Sequence, residues 1–158
     1  MKILKIALVL LFSLMFGACN ERKNTVNPEI RLGNPVNVEF GDPFILKASD
    51  GTFYMYGTTE GIRGFKAYSS KDLKNWKDEG IVYQGATKES WAINSFWAPE
   101  VYEREGKYYI WYSANWKHNP NKEDENFRIG VAIADKPTGP FVEMSKGPLF
   151  DPGYPIID

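Results

Sequence analysis

Two stretches of the chain carry the same marks in the same order, and this repeat constrains the fold more than any other feature. Gly51, Phe53, Tyr54 and Tyr56 fall on Gly106, Tyr108, Tyr109 and Trp111, while Asp42-Pro43 falls on Ala98-Pro99. A third start appears in Ile156-Ile157-Asp158, where Asp158 stands in the place of Asp42 and Ala98; the start-to-start intervals are 56 and 60 residues. Each repeat alternates short aromatic and β-branched runs with turn signals, the pattern of strands and hairpins. In the first, residues 44–48 lead through Ser49-Asp50-Gly51 to residues 53–58, then to 65–70 and 81–83. In the second, residues 101–104 turn at Glu105-Gly106 into 107–113, followed by 128–134 and 141–144. Aromatic residues make up 15% of the chain, which suits strands and equally a surface that stacks flat ligands. Four strands per repeat at this spacing predict an all-β fold, a β-propeller with its first two blades and the start of a third. An ordinary β-sandwich with similar hairpins is the alternative.

The chain before residue 36 has a different character. Lys2 and Lys5 precede an apolar run over residues 6–18, broken only by Ser13 and Gly17, and Phe16-Gly17-Ala18 leads into Cys19, the only cysteine. Two positive charges before a short apolar run have the form of an export signal. The run is shorter than the about 20 residues that a helix needs to cross the ~30 Å hydrocarbon core. Small residues directly before a lone cysteine resemble the bacterial lipoprotein signal, in which that cysteine is lipidated and becomes the new N-terminus. An ordinary cleaved leader is the alternative. The expected organisation is a signal peptide over residues 1–18, a lipid-anchored tether over 19–35 and the propeller portion over 36–158. The destination expected from it is extracytoplasmic, at the periplasmic or cell-surface side of a bacterial membrane.

Several function classes fall away on composition. With 19 Lys+Arg against 20 Asp+Glu, the charge balance argues against a general nucleic-acid binder. One cysteine excludes an intramolecular disulfide framework and a cysteine-based zinc cage. His118 stands in a polar Lys-His-Asn-Pro stretch with neither a triad partner nor metal spacing. Glu123-Asp124-Glu125 lacks the alternating ligands of a calcium loop, and Gly57, Gly61 and Gly64 do not form a dinucleotide fingerprint. No cofactor and no metal are expected.

The repeat boundaries are where chemistry is expected. In a propeller the first strand of each blade lines the central channel, so Asp42 and Asp158 would face one another near the axis. Pro43 is expected to hold Asp42 in an extended conformation and cannot donate to the ladder. Facing carboxylates in a sugar-sized cleft suit glycoside hydrolysis, and a separation of roughly 6.5–9.5 Å leaves room for a water and gives inversion. Taken singly, Asp42-Pro43 also reads as a turn initiator.

The ordered series of motifs resembles glycoside hydrolase family 43. It comprises Gly41-Asp42-Pro43-Phe44, Asp50-Gly51, Tyr54-Met55-Tyr56, Phe96-Trp97-Ala98-Pro99-Glu100-Val101 and residues 106–112. Ile129-Gly130-Val131-Ala132, Pro137-Thr138-Gly139-Pro140-Phe141 and Ile156-Ile157-Asp158 continue it, so the resemblance covers residues 36–158. It implies a five-bladed propeller that removes arabinose or xylose units, or cuts arabinan, with inversion. By the same resemblance Asp42 is the general base and Asp158 the aspartate that tunes the acid's pKa. Trp97 is a wall beside the sugar or, equally, a core tryptophan, and Glu100 touches substrate or is structural. The family's general acid is a glutamate in a later blade, which places it beyond Asp158. Glu79, Glu89, Glu103 and Glu105 are expected in turns and hairpin tips as solvated side chains. The expected partner is an oligo- or polysaccharide such as arabinan, xylan or arabinoxylan. Five blades at about 58 residues each need about 290, so the chain reads as roughly half of a propeller, inactive by itself and aggregation-prone through open sheet edges. A non-catalytic glycan-binding propeller lipoprotein is the competing class.

Overall fold

The computed structural model describes residues 38, 40–59, 61 and 63–157. The leader, Cys19 and the tether expected over residues 19–35 lie outside them, as does Asp158. The described residues form eight strands and no helix. They are β1 (Gly41–Lys47), β2 (Phe53–Thr58), β3 (Gly64–Ser70), β4 (Lys77–Gln84), β5 (Ala92–Arg104), β6 (Lys107–Trp116), β7 (Phe127–Ala134) and β8 (Val142–Glu143). They make two four-stranded sheets, β1-β2-β3-β4 and β5-β6-β7-β8, each in chain order and antiparallel throughout. A sheet that uses up consecutive strands in order is the meander of a propeller blade, and the two repeats are two such blades.

Period-2 alternation decides what faces what. Tyr56 on β2, Phe65 and Ala67 on β3 and Val82 on β4 join Val101, Ile110, Tyr112 and Ala132 of the second sheet in one buried cluster. Tyr112 is the hub. Its ring lies 5.6 Å from Phe65, 5.1 Å from Tyr83, 5.8 Å from Phe96 and 5.9 Å from Trp91. Gly130 on β7 passes beneath it, and a Cβ there would come within 2.4 Å of the Trp91 ring. The buried hydroxyls are satisfied in series: Trp91 Nε1 donates to Tyr112 (3.1 Å), the Tyr83 and Tyr112 hydroxyls share a bond (2.7 Å), and Tyr83 donates to Glu143 (2.8 Å). Ser90 Oγ donates to the same carboxylate oxygen at 2.6 Å.

The blades are also tied through backbone. The Pro137-Thr138-Gly139-Pro140-Phe141 segment reaches back to the first sheet, where the Tyr56 hydroxyl donates to the Pro137 carbonyl and the Phe141 N–H to the Val82 carbonyl, both at 2.8 Å. Gly139 has φ +71°, and a Cβ on it would lie 2.4 Å from the Val82 carbonyl oxygen. On another flank Glu103 accepts from the Ser49 N–H at 2.8 Å and from the Ser49 hydroxyl at 2.6 Å. Glu103 was expected as a solvated hairpin-tip residue; instead it lies on β5 and fastens the first hairpin of the neighbouring blade.

The strand boundaries follow the expected ones closely except at β5, which begins at Ala92 rather than at Val101. Register shifts between Asn94 and Trp97 and between Trp97 and Glu100 bend it. A bent strand keeps Ala92, Phe96 and Val101 all in the core, which an unbroken alternation could not. Beyond β8, Phe150 bridges to Ile129 and the Ile156 N–H donates to the Phe127 carbonyl at 3.1 Å, so residues 150–156 run beside β7.

Candidate active site

The two X-Pro positions that the repeat superposes have the same backbone. Gly41 pairs with Thr58 and Phe44 with Tyr56, so Asp42 and Pro43 stand against the single residue Gly57. In the second blade Trp97 pairs with Ser113 and Glu100 with Trp111, so Ala98 and Pro99 stand against Tyr112 alone. Both are β-bulges, two residues opposite one. Asp42 has φ +47° and Ala98 φ +46°. Asp42 is therefore left-handed and not extended as Pro43 suggested. A bulge of this kind places its first residue in the left-handed region, where aspartate is among the side chains that hydrogen-bond locally and are tolerated. The prolines fit because the bulge interrupts the ladder, so their missing N–H is not needed.

Thr58, at the end of β2, meets both bulges. Its hydroxyl donates to Asp42 Oδ2 at 3.0 Å and accepts the Ala98 N–H, also at 3.0 Å. Asp42 Oδ1 has no partner among the described residues. The aspartate is exposed and lines a cavity of about 690 Å³ with Pro43, Phe44, Glu100, Tyr102, Trp111 and others. The wall is mostly apolar and aromatic, and Phe44 leans on Tyr102 with ring centroids 5.6 Å apart.

Glu100 shares this cavity with Asp42, and its Oε2 accepts the Tyr102 hydroxyl. That bond to the carboxylate is the main reason the Tyr102 phenol sits above its ordinary value. Ser113 lines the same cavity and is 1% exposed, and its hydroxyl has no partner among the described residues. Ile156 reaches the cavity as well, while Asp158 lies outside the described residues. Trp97 does not line it. Trp97 is half-buried against Phe127, centroids 4.6 Å apart, and borders a neighbouring hollow of about 400 Å³ with Gly41, Thr58 and Ser95. Thr58 thus stands between the hollow of Trp97 and the cavity of Asp42.

Sequence reasoning did not single out Thr58, Tyr102, Ser113 or a cationic cluster beside Phe127. In that cluster Arg128, 4% exposed, donates from Nε to Asp151 at 2.6 Å and lies 5.5 Å from the Trp116 ring. The Gly153 N–H and then the Arg128 guanidinium hold the Asp151 carboxyl below its usual range. His118 lies exposed, its ring edge-on to Trp116 at 5.0 Å. The alternation Tyr54, Tyr56, Thr58 was the available signal for Thr58, since it sets that hydroxyl on the face β2 turns toward the second blade.

With this geometry, comparison with known proteins is specific. The model of glycosyl hydrolases family 43 matches residues 32–158. A xylosidase/arabinosidase of Bacteroides ovatus is 34% identical over 111 residues, which is 59% of this chain and 31% of that protein. Among solved structures, a thermostable family-43 glycoside hydrolase is 35% identical with TM-score 0.67, covering 79% of this chain and 38% of that one. An endo-arabinase of Bacteroides thetaiotaomicron is 30% identical with TM-score 0.62, covering 74% and 38%. The chain thus spans about a third of the length of the relatives it matches.

Proposed function

The chain belongs to glycosyl hydrolases family 43, and from that premise we propose that the protein hydrolyses O-glycosidic bonds in pentose-containing polysaccharide, arabinan, xylan or arabinoxylan, with inversion. The observation that carries this reading is Asp42: an exposed carboxylate on a fixed left-handed bulge, one oxygen held by Thr58, the other open at the rim of an aromatic cavity. That is what a general base for water requires, namely a lone pair aimed by the backbone rather than by a mobile side chain. In the proposed step Asp42 Oδ1 takes a proton from water as its oxygen bonds to the anomeric carbon. The glycosidic C–O bond breaks toward the leaving oxygen, which is protonated by a general acid.

The other roles follow the family resemblance. Asp158 tunes that acid. Glu100 contacts substrate, supported by its place on the cavity of Asp42, and Trp97 supplies a wall on the adjoining hollow. Neither Glu79 nor Glu103 is assigned as the acid, since serine hydroxyls of Ser69 and Ser49 engage them. The names of the relatives, a xylosidase/arabinosidase and an endo-arabinase, support pentose polymers as the substrate class. Lipidation at Cys19 would hold the enzyme at the outer side of a membrane, where such polymers are met; labelling with a radioactive fatty acid, lost in Cys19→Ala, tests that placement.

Asp42→Asn is the deciding variant. Hydrolysis of 4-nitrophenyl arabinofuranoside and xylopyranoside should fall by about 10²–10⁴-fold while sugar binding persists. Full activity in Asp42→Asn removes the assignment. Sugar binding with no turnover in the parent protein would place it among non-catalytic glycan-binding propellers.

A further inference from the structure

Thr58 belongs to no motif, yet its hydroxyl is the one group that touches both bulges. It lies on the first blade, accepts the Ala98 N–H from the second, and spends its only proton on Asp42 Oδ2. From this geometry we infer that Thr58 is the positioning residue of the Asp42 carboxylate, coupling the aim of the proposed base to the contact between the blades. The inference rests on the reading of Asp42 as the base.

Three physical consequences make this more than a surface hydrogen bond. A carboxylate on a left-handed residue can rotate about its terminal torsion, which is broad and poorly restrained. Fixing Oδ2 leaves one orientation for Oδ1, the oxygen open to the cavity. A hydroxyl that accepts an N–H is polarised and donates more strongly, so the Ala98 contact reinforces the bond to Asp42. Finally, a donor to a carboxylate favours its ionised form, which a base working near neutral pH must be in.

The geometry also separates Thr58 from a residue that merely packs. Its methyl side lies 3.5–4.0 Å from where a Cβ on Gly41 would sit, ordinary contact distances that a valine would preserve. Valine is nearly the same shape without the hydroxyl. Serine keeps the hydroxyl and drops the methyl. The two substitutions therefore divide the polar role from the steric one.

The test compares Thr58→Val, Thr58→Ala and Thr58→Ser with Asp42→Asn in the full protein, following 4-nitrophenyl glycoside hydrolysis and the carboxyl carbon-13 titration of Asp42. Thr58→Val and Thr58→Ala should lower kcat on the order of 10–100-fold with KM little changed. They should also move the acidic limb of the kcat/KM profile and the Asp42 titration to higher pH together, with Thr58→Ser near the parent on every measure. A folded Thr58→Val or Thr58→Ala with the parent's kcat and Asp42 titration overturns the inference. So does a pair of hydroxyl-free variants that unfold while Thr58→Ser folds, since the hydroxyl would then serve blade cohesion alone. Should Asp42→Asn keep full activity, the base assignment fails whatever Thr58 does; loss of activity in Asp42→Asn with an indifferent Thr58 condemns only the positioning role.

Discussion

At the scale of single residues, the left-handed bulges at Asp42 and Ala98 store backbone strain of about 1–3 kcal/mol each, the usual cost for a non-glycine side chain in that region, and Thr58 offsets part of it at both. Ser113 is a different kind of cost. Its buried hydroxyl has no partner among the described residues, and an unsatisfied polar group of this sort is worth about 1–3 kcal/mol. Ser113→Ala is therefore expected to leave urea stability unchanged or raise it by about 1 kcal/mol; a fall of similar size would reveal a partner for that oxygen. Asp42 could be picked out of the sequence because a proline follows it and because the repeat places it at a blade start. Thr58 could not, because what makes it matter is a contact with Ala98, 40 positions away, that exists only once two blades are side by side.

At the scale of elements, the Pro137–Phe141 clasp is the part most sensitive to a single atom. A methyl on Gly139 meets the Val82 carbonyl oxygen, which is backbone and cannot step aside, and the glycine's φ of +71° is unfavourable for alanine as well. Gly139→Ala is expected to cost about 2–3 kcal/mol, read as a lower urea midpoint with the slope preserved. Gly51 and Gly147, where a Cβ would meet nothing within 4 Å, supply the contrast in space if not in backbone freedom. Strand identity was largely readable, because aromatic runs broken by Ser49-Asp50-Gly51 and Glu105-Gly106 leave few other options. The start of β5 was not, since its bulges break the period-2 pattern over residues 92–100 that a sequence reading relies on.

At the scale of the whole described fold, both pH limits are written into contacts between the blades. The Ser49 hydroxyl and then the Ser49 N–H hold Glu103 below its usual 4.5. A depressed carboxyl contributes stability that is present above that usual value and lost as pH falls through the lowered one. Melting temperature should thus be flat from pH 7 to about 5 and decline below it, with a shallower acid slope in Glu103→Gln. Burial pushes the Tyr56, Tyr83 and Tyr112 phenols well above their usual 10.0. Their neutral forms stabilise the fold fully below that value, and the contribution drains away as pH climbs past it, so unfolding above about pH 10 should be cooperative and should expose all three rings at once in the ultraviolet phenolate band. The matched bulges carry a last consequence, for ancestry. If the two blades descend from one copied unit, the copy brought its bend along intact, and Ala98 differs from Asp42 by a side chain and not by any backbone. Selection on such a protein can add or withdraw a carboxylate at a blade start by a single codon, leaving the architecture that aims it untouched.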